Sequence, residues 1–142
     1  MTFAATTAND LVRLVFQAVN IGSLADNASA APLTNLFLSL HTADPSGGNQ
    51  STSETSYTGY ARLAVIRTAG GFACTGRIVT LVAQAIFGTS TVGTPTITHA
   101  GVGYASSGAT KLITSEALVT PRVITVGDAP RIQISDFSFT LN

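Results

Sequence analysis

Charged side chains are scarce in this sequence. Asp, Glu, Lys and Arg together make 10% of its 142 residues, where a typical soluble domain carries about 25%. Net charge is zero, and Lys111 is the only lysine among seven scattered cationic residues. Nucleic-acid binding rests on clustered Lys and Arg that neutralise phosphates, so that class is excluded. Intrinsic disorder fails too, because 45% of the chain is hydrophobic and disordered chains combine few apolar residues with much net charge. No apolar run approaches the roughly 20 residues of a membrane-spanning helix, so no membrane partner is expected. A single cysteine, Cys74, permits no internal disulfide and reads as a small buried hydrophobe. The opening MTFAATTAND has neither a basic n-region nor an apolar h-region, so no secretory signal is expected.

Thr, Ser, Ala and Gly fill the place of the missing charge. An uncharged domain has little colloidal protection against self-association. Its surface is therefore either hydroxyl-coated or covered by neighbours, and the second reading is preferred. The length suits one domain over 1–142, with an N-terminal arm and helix over 1–32 and a β-rich body over 33–142.

The patterning gives one helix and many strands. Leu11, Leu14, Val15, Ala18 and Val19 recur at helical spacing behind the candidate caps Thr7 and Asn9. After Pro32 the period becomes two: Leu36, Leu38 and Leu40 share one face, and Asn35, Phe37, Ser39 and His41 the other. That strand delivers the polar stretch ADPSGGNQSTSETSYTG over 43–59, far longer than a common hairpin connection. YARLAVIRTA is a second strand, GGFACTGR a turn-rich break, and IVTLVAQAIFG a strand region by its β-branched content. PTITHAGVGYA reads as a strand whose two glycines mark a bulge or a close backbone approach. KLITSEALVT is another strand, and PRVITVGDAPRIQISDFSFTLN closes the chain with two more. Ile132 and Ile134 do not share parity with Phe137 and Phe139, which predicts a bulge near Ser135 and Asp136. Short strands with turn signals about every ten residues, and no βαβ alternation, predict an antiparallel β-sandwich, jelly-roll-like, with one short N-terminal helix.

Chemistry-bearing residues are sparse. His41, Asp44 and His99 have donors for an open metal site, but their spacing is looser than zinc sites show. An exposed His41 at a strand end and a hydrogen-bonded His99 are the preferred readings. No G-x-S-x-G elbow is present, and GVGYASSG lacks both the spacing and the strand-to-helix context of a phosphate loop. Glu54 and Glu116 have no visible partner carboxylate. No catalytic residue, metal ligand or cofactor site is expected, and no enzymatic activity. The preference for Arg over Lys suits fixed, hydrogen-bonded contacts.

The stretch LFLSLHTADPSGGNQSTSETSYTGYARLAV resembles a segment of small tailed-bacteriophage virion proteins, with an L-x-L-H-T-A-D-P strand and loop followed by Y-x-G-Y-A-R. THAGVGYASSGATKLITSEAL and VITVGDAPRIQISDFSFTL are similar to later stretches of the same proteins, so the resemblance spans about residues 33–141. It departs at Ile132 and at IVTLVAQAIFG, which leaves the middle strand pairing unassigned. The resemblance implies a virion-associated β-sandwich without catalysis. The primary expectation is a capsid cement (decoration) protein on the head surface, bridging major capsid protein subunits and self-associating as a dimer or trimer. The alternative is a tail-fibre or tail-tip module that meets the host surface. In either setting Thr42, Asp44, Tyr57, Tyr60 and Arg62 are the expected interface, with the two tyrosines as anchors replaceable by Ser without loss of fold. MTFAATT is the expected extended arm.

Overall fold

The computed structural model describes residues 3–22, 24–25, 31–134 and 136–141. The chain runs through helix α1 (Ala5–Gln17), then β1 (Asn35–His41), β2 (Leu63–Ile66), β3 (Phe72–Thr75) and β4 (Ile78–Leu81). It continues through β5 (Ala85–Ile86), β6 (Thr96–Gly103), β7 (Leu112–Val123), β8 (Arg131–Ile132) and β9 (Ser138–Thr140). All pairings are antiparallel, in a four-stranded sheet of order β2-β1-β6-β7, a three-stranded sheet β3-β4-β9 and the pair β5-β8. This is the β-sandwich with one short helix that the patterning predicts.

The period-two pattern of β1 sets the inner face. Leu38 lies opposite Val102 and Leu40 opposite Ala100, and none of the four is more than 2% exposed. They join Phe72, Val79, Leu81, Ile132 and Phe139 from the other sheets, and Phe137 from the connection before β9, in one hydrophobic cluster. Helix α1 closes this cluster with Ala8, Val12 and Phe16, a spacing of four that keeps them on one face. Phe16 packs against Phe72 and Phe139 at ring-centroid distances of 5.2 and 4.8 Å.

The helix differs in detail from its expected form. Its buried stripe is Ala8–Val12–Phe16, and the expected Leu11, Leu14 and Val15 are half-buried on its flank. Neither Thr7 nor Asn9 caps it. Ala4 is the N-cap, and Ala5 to Thr7 of the expected arm are already helical. At the other end Ala18 takes a left-handed conformation (φ 55°), a common way for a helix to end, and Val19 N–H reaches back to the Arg13 carbonyl at 3.2 Å. Arg67 then donates to the end carbonyls of Leu14 (2.6 Å) and Val15 (2.5 Å). A cation placed there also meets the negative end of the helix dipole. Beyond the helix Ile21 bridges Ala25, and residues 23 and 26–30 lie outside the described residues.

Three other expectations are corrected. GGFACTGR is not simply a break, because Phe72–Thr75 forms β3 and pairs with β4. Its glycines serve the turns, with Gly76 at φ 62° in the tight hairpin, a conformation that favours glycine. KLITSEALVT and PRVIT are one strand, since β7 runs through Pro121. Its register against β6 slips between His99↔Ala117 and Ile97↔Arg122. Proline has no N–H to donate, and it sits where the ladder is interrupted. The parity change after Ile132 is a change of partner: β8 pairs with β5 and β9 with β4. Ser135 lies outside the described residues, and Asp136 falls between the two strands.

Replacing Phe16 with Ala should lower unfolding stability by about 3–5 kcal/mol, the usual cost of a buried Phe→Ala change. Urea denaturation followed by far-UV circular dichroism measures it, and loss of near-native stability identifies α1 as part of the core.

Candidate functional site

The long polar stretch after β1 doubles back on the sheet. An isolated bridge between His41 and Glu54 closes it, with Thr42 N–H donating to Ser53 O (2.8 Å) and Thr55 N–H to Leu40 O (2.9 Å). Its tip is wound by its own side chains. Asp44 accepts from Ser46 N–H, Asn49 accepts from Ser51 N–H, and Thr52 Oγ1 accepts from Asn49 N–H, each at 2.9 Å. Such Asx and hydroxyl turns are the local alternative to a strand. Ser46, both through its N–H and its hydroxyl, holds the exposed Asp44 carboxyl below the usual carboxylate range.

What anchors the loop is glycine. On the outer face of the four-stranded sheet, Phe37 faces Gly103, Ser39 faces Gly101 and His41 faces His99. A Cβ on Gly103 would lie 2.0 Å from the Gln50 side chain, so the loop lowers Gln50 into space that only glycine leaves. Gln50 is fully buried. Its amide donates to Phe37 O (3.3 Å), and its Oε1 accepts from Ala105 N–H (3.1 Å) and Thr110 Oγ1 (2.5 Å). Its backbone N–H donates to Thr110 O (2.9 Å). Hydrogen bonds of this kind are what burial of an amide requires.

Arg62 ties the second knot. Its guanidinium meets the Glu54 carboxylate through Nε and Nη2, both at 2.7 Å, with side chains 2% and 16% exposed. The same fork donates to the carbonyls of Ala105 (3.0 Å) and Gly108 (2.9 Å) in the turn after β6. Tyr60 OH donates to Glu54 Oε1 (2.8 Å) and accepts from Leu40 N–H (3.0 Å). Burial, the largest cause, pushes the Tyr60 phenol well above its ordinary value. The hydrogen bond from Arg62 to Glu54 holds the guanidinium charge more firmly still.

His41 completes the anchorage. Its Nδ1 lies 2.8 Å from Thr52 O and its Nε2 2.8 Å from Ser39 Oγ. A carbonyl only accepts, so Nδ1 carries the proton and Nε2 accepts from the serine. His41 is fully buried, contrary to its expected exposure. Burial, opposed in part by the Thr52 carbonyl and Glu54, lowers its pKa below 6.5. His99 is hydrogen-bonded as expected, to Thr98 Oγ1 at 2.9 Å. Among the described residues no three His, Cys, Asp or Glu side chains converge. The Cys74 thiol is half-buried, and desolvation raises its pKa to about 11.

The expected interface residues therefore divide. Thr42 and Asp44 lie exposed on the loop. Tyr57 is 4% exposed and donates to Gly88 O at 2.9 Å, Tyr60 packs on Phe87, and Arg62 is 8% exposed. These three are internal supports of the loop, and serine in place of either tyrosine opens a cavity. Apart from Asp44 and, at the end of the turn after β6, Lys111, what faces outward is uncharged: Thr42, Ser46, Gly47, Gly48, Ser51, Ser56, Thr58, Ser106 and Ser107 are exposed. The roles of Gln50 and His41 escape a reading of spacing alone. The paired glycines of β6 are their visible signal.

The family model described as Podophage GP4 fiber I protein gp80 matches residues 2–140. The chain belongs to this family. It is a phage structural protein, and the family supports the tail-fibre alternative over the capsid-cement expectation. No curated protein gives a significant match.

Arg62→Met should cost about 3–5 kcal/mol, because it leaves the Glu54 carboxylate buried and unpaired. Hydrogen exchange should show the loss first at the amides of Gln50 and Thr55. The pH response follows from His41. A lowered folded pKa means that the unfolded chain binds more protons as pH falls. Its contribution is complete above about pH 6.5 and is lost as pH drops below that value. Stability of the wild type should fall over that window, and His41→Asn should flatten the dependence.

Proposed function

We propose that this chain is a β-sandwich module of a podophage tail fibre that presents its loop end to the host surface or to neighbouring fibre proteins. It acts by contact and performs no reaction. The observation that carries this reading is the match of a fibre-protein family over nearly the whole chain. The geometry is in keeping with it. A loop whose conformation is set before binding forfeits little ordering entropy when it meets a partner. Its exposed surface offers hydroxyls and backbone and almost no charge. A second copy is a proposed partner, and repetition along a fibre multiplies weak contacts by raising the effective concentration of each linked site.

Virions labelled with gold-conjugated antibody against this chain test the reading. Label confined to the tail is the expected outcome. Label spread over the head would overturn it in favour of capsid cement, with the major capsid protein as neighbour.

A further inference from the structure

The four-stranded sheet ends in two edges, β2 and β7. An edge strand presents unpaired peptide groups on which another chain can build, and folded proteins ordinarily blunt it with charge, proline or an irregular register. β7 carries all three: Glu116 and Arg122 lie along it, Pro121 interrupts it, and its pairing with β6 shifts twice. β2 carries none of them. Leu63, Ala64, Val65 and Ile66 are uncharged and hold an unbroken register on β1.

The phase of the β1–β2 ladder fixes which peptide groups of β2 face outward. Arg67 N–H donates to Thr34 O at 2.9 Å, so the hydrogen-bonded pairs are Leu36↔Val65 and Leu38↔Leu63. The alternate residues, Ala64 and Ile66, therefore turn their N–H and C=O away from β1. Ile66 O accepts from Thr68 N–H at 2.9 Å, while Ala64 N–H, Ala64 C=O and Ile66 N–H have no partner among the described residues. Both residues are exposed, Ile66 by 52%. They border a groove of about 340 Å³ whose far side is the Gly70–Gly71 turn and the segment 83–86, with no charged side chain in its lining.

We propose that the β2 edge is a self-association site, where β2 of a second copy adds antiparallel about a twofold axis at Ala64 and carries the sheet from one copy into the next. The occupant follows from complementarity. Ala64 has both its outward N–H and its outward C=O unpaired, so two copies of Ala64 facing each other exchange both hydrogen bonds. A strand bearing charge would lose hydration against this uncharged groove without a counter-charge to replace it. β2 itself brings none, so the pairing sets no like charges opposite each other. A contact of four residues is small and transient, and repetition of copies multiplies it. The inference rests on the fibre reading for that repetition, while the contact is argued from the edge.

The test is sedimentation velocity and amide hydrogen exchange of the full chain across roughly micromolar to millimolar concentrations, the range in which a contact of this size is populated. A monomer–dimer equilibrium is expected, with protection of the Ala64 and Ile66 amides rising with concentration. Ala64→Pro removes a donor that points away from β1, a place where an edge strand accommodates proline. It should weaken the dimer about tenfold or more, since two hydrogen bonds are lost per dimer. Ile66→Lys should do the same by setting charge on the edge, whereas Val119→Lys, on the opposite edge, should leave the equilibrium unchanged. A chain that stays monomeric throughout, a species other than a dimer, or association without protection at Ala64 and Ile66 would each overturn the proposal. So would weakening by Val119→Lys but by neither β2 variant. Virion label confined to the tail together with a monomeric chain would leave the fibre reading standing and remove this contact alone.

Discussion

The arrangement of the loop end depends on one ion pair. Arg62 and Glu54 meet in a two-point contact, almost out of solvent. A buried pair of this kind is weak evidence for stability, because desolvating two charges offsets most of their attraction. Its effect here is geometric. The planar guanidinium has donors left over after satisfying the carboxylate, and they fall on the main chain of the turn after β6. One side chain thus sets the spacing between two segments far apart in sequence. Lysine, a single rotatable ammonium, has no fork with which to do so.

The four-stranded sheet is consequently covered on both faces at one end. Inside lie Leu36, Leu38 and Leu40. Outside, where an antiparallel sheet commonly meets water, Gln50, His41 and Ser39 form a dry polar layer beneath the loop. Each member's side chain is hydrogen-bonded, and buried polar networks held in this way rigidify a structure. Rigidity in the loop and the requirement for glycine at 101 and 103 are two views of the same packing.

Much of this was legible in the residues. Alternation at 36–40 marks β1 and its inner face, and the absence of βαβ alternation marks an antiparallel architecture. The glycines of GVGYA mark a close approach, although not the side chain that would fill it. What failed did so for physical reasons. Tyr57 and Tyr60 look like surface anchors because polar neighbours surround them in sequence, yet their rings pack inward and only their hydroxyls are polar. His41 sits beside a loop and so reads as exposed, whereas the loop folds over it. In α1, apolar residues lie on more than one flank, and spacing alone does not say which flank the sheet selects. The slip in β7 is invisible because Pro121 reads as a strand terminator until a gap in the ladder accommodates it.

The clamp recognises the turn after β6 by its carbonyl oxygens, at Ala105 and Gly108, and not by any side chain of Ser106, Ser107 or Ala109. Carbonyls are common to every amino acid. Those outward positions are therefore uncoupled from the framework that holds them. A lineage under pressure to change what its outermost surface touches has a patch here that it can rewrite residue by residue while the scaffold stays constant.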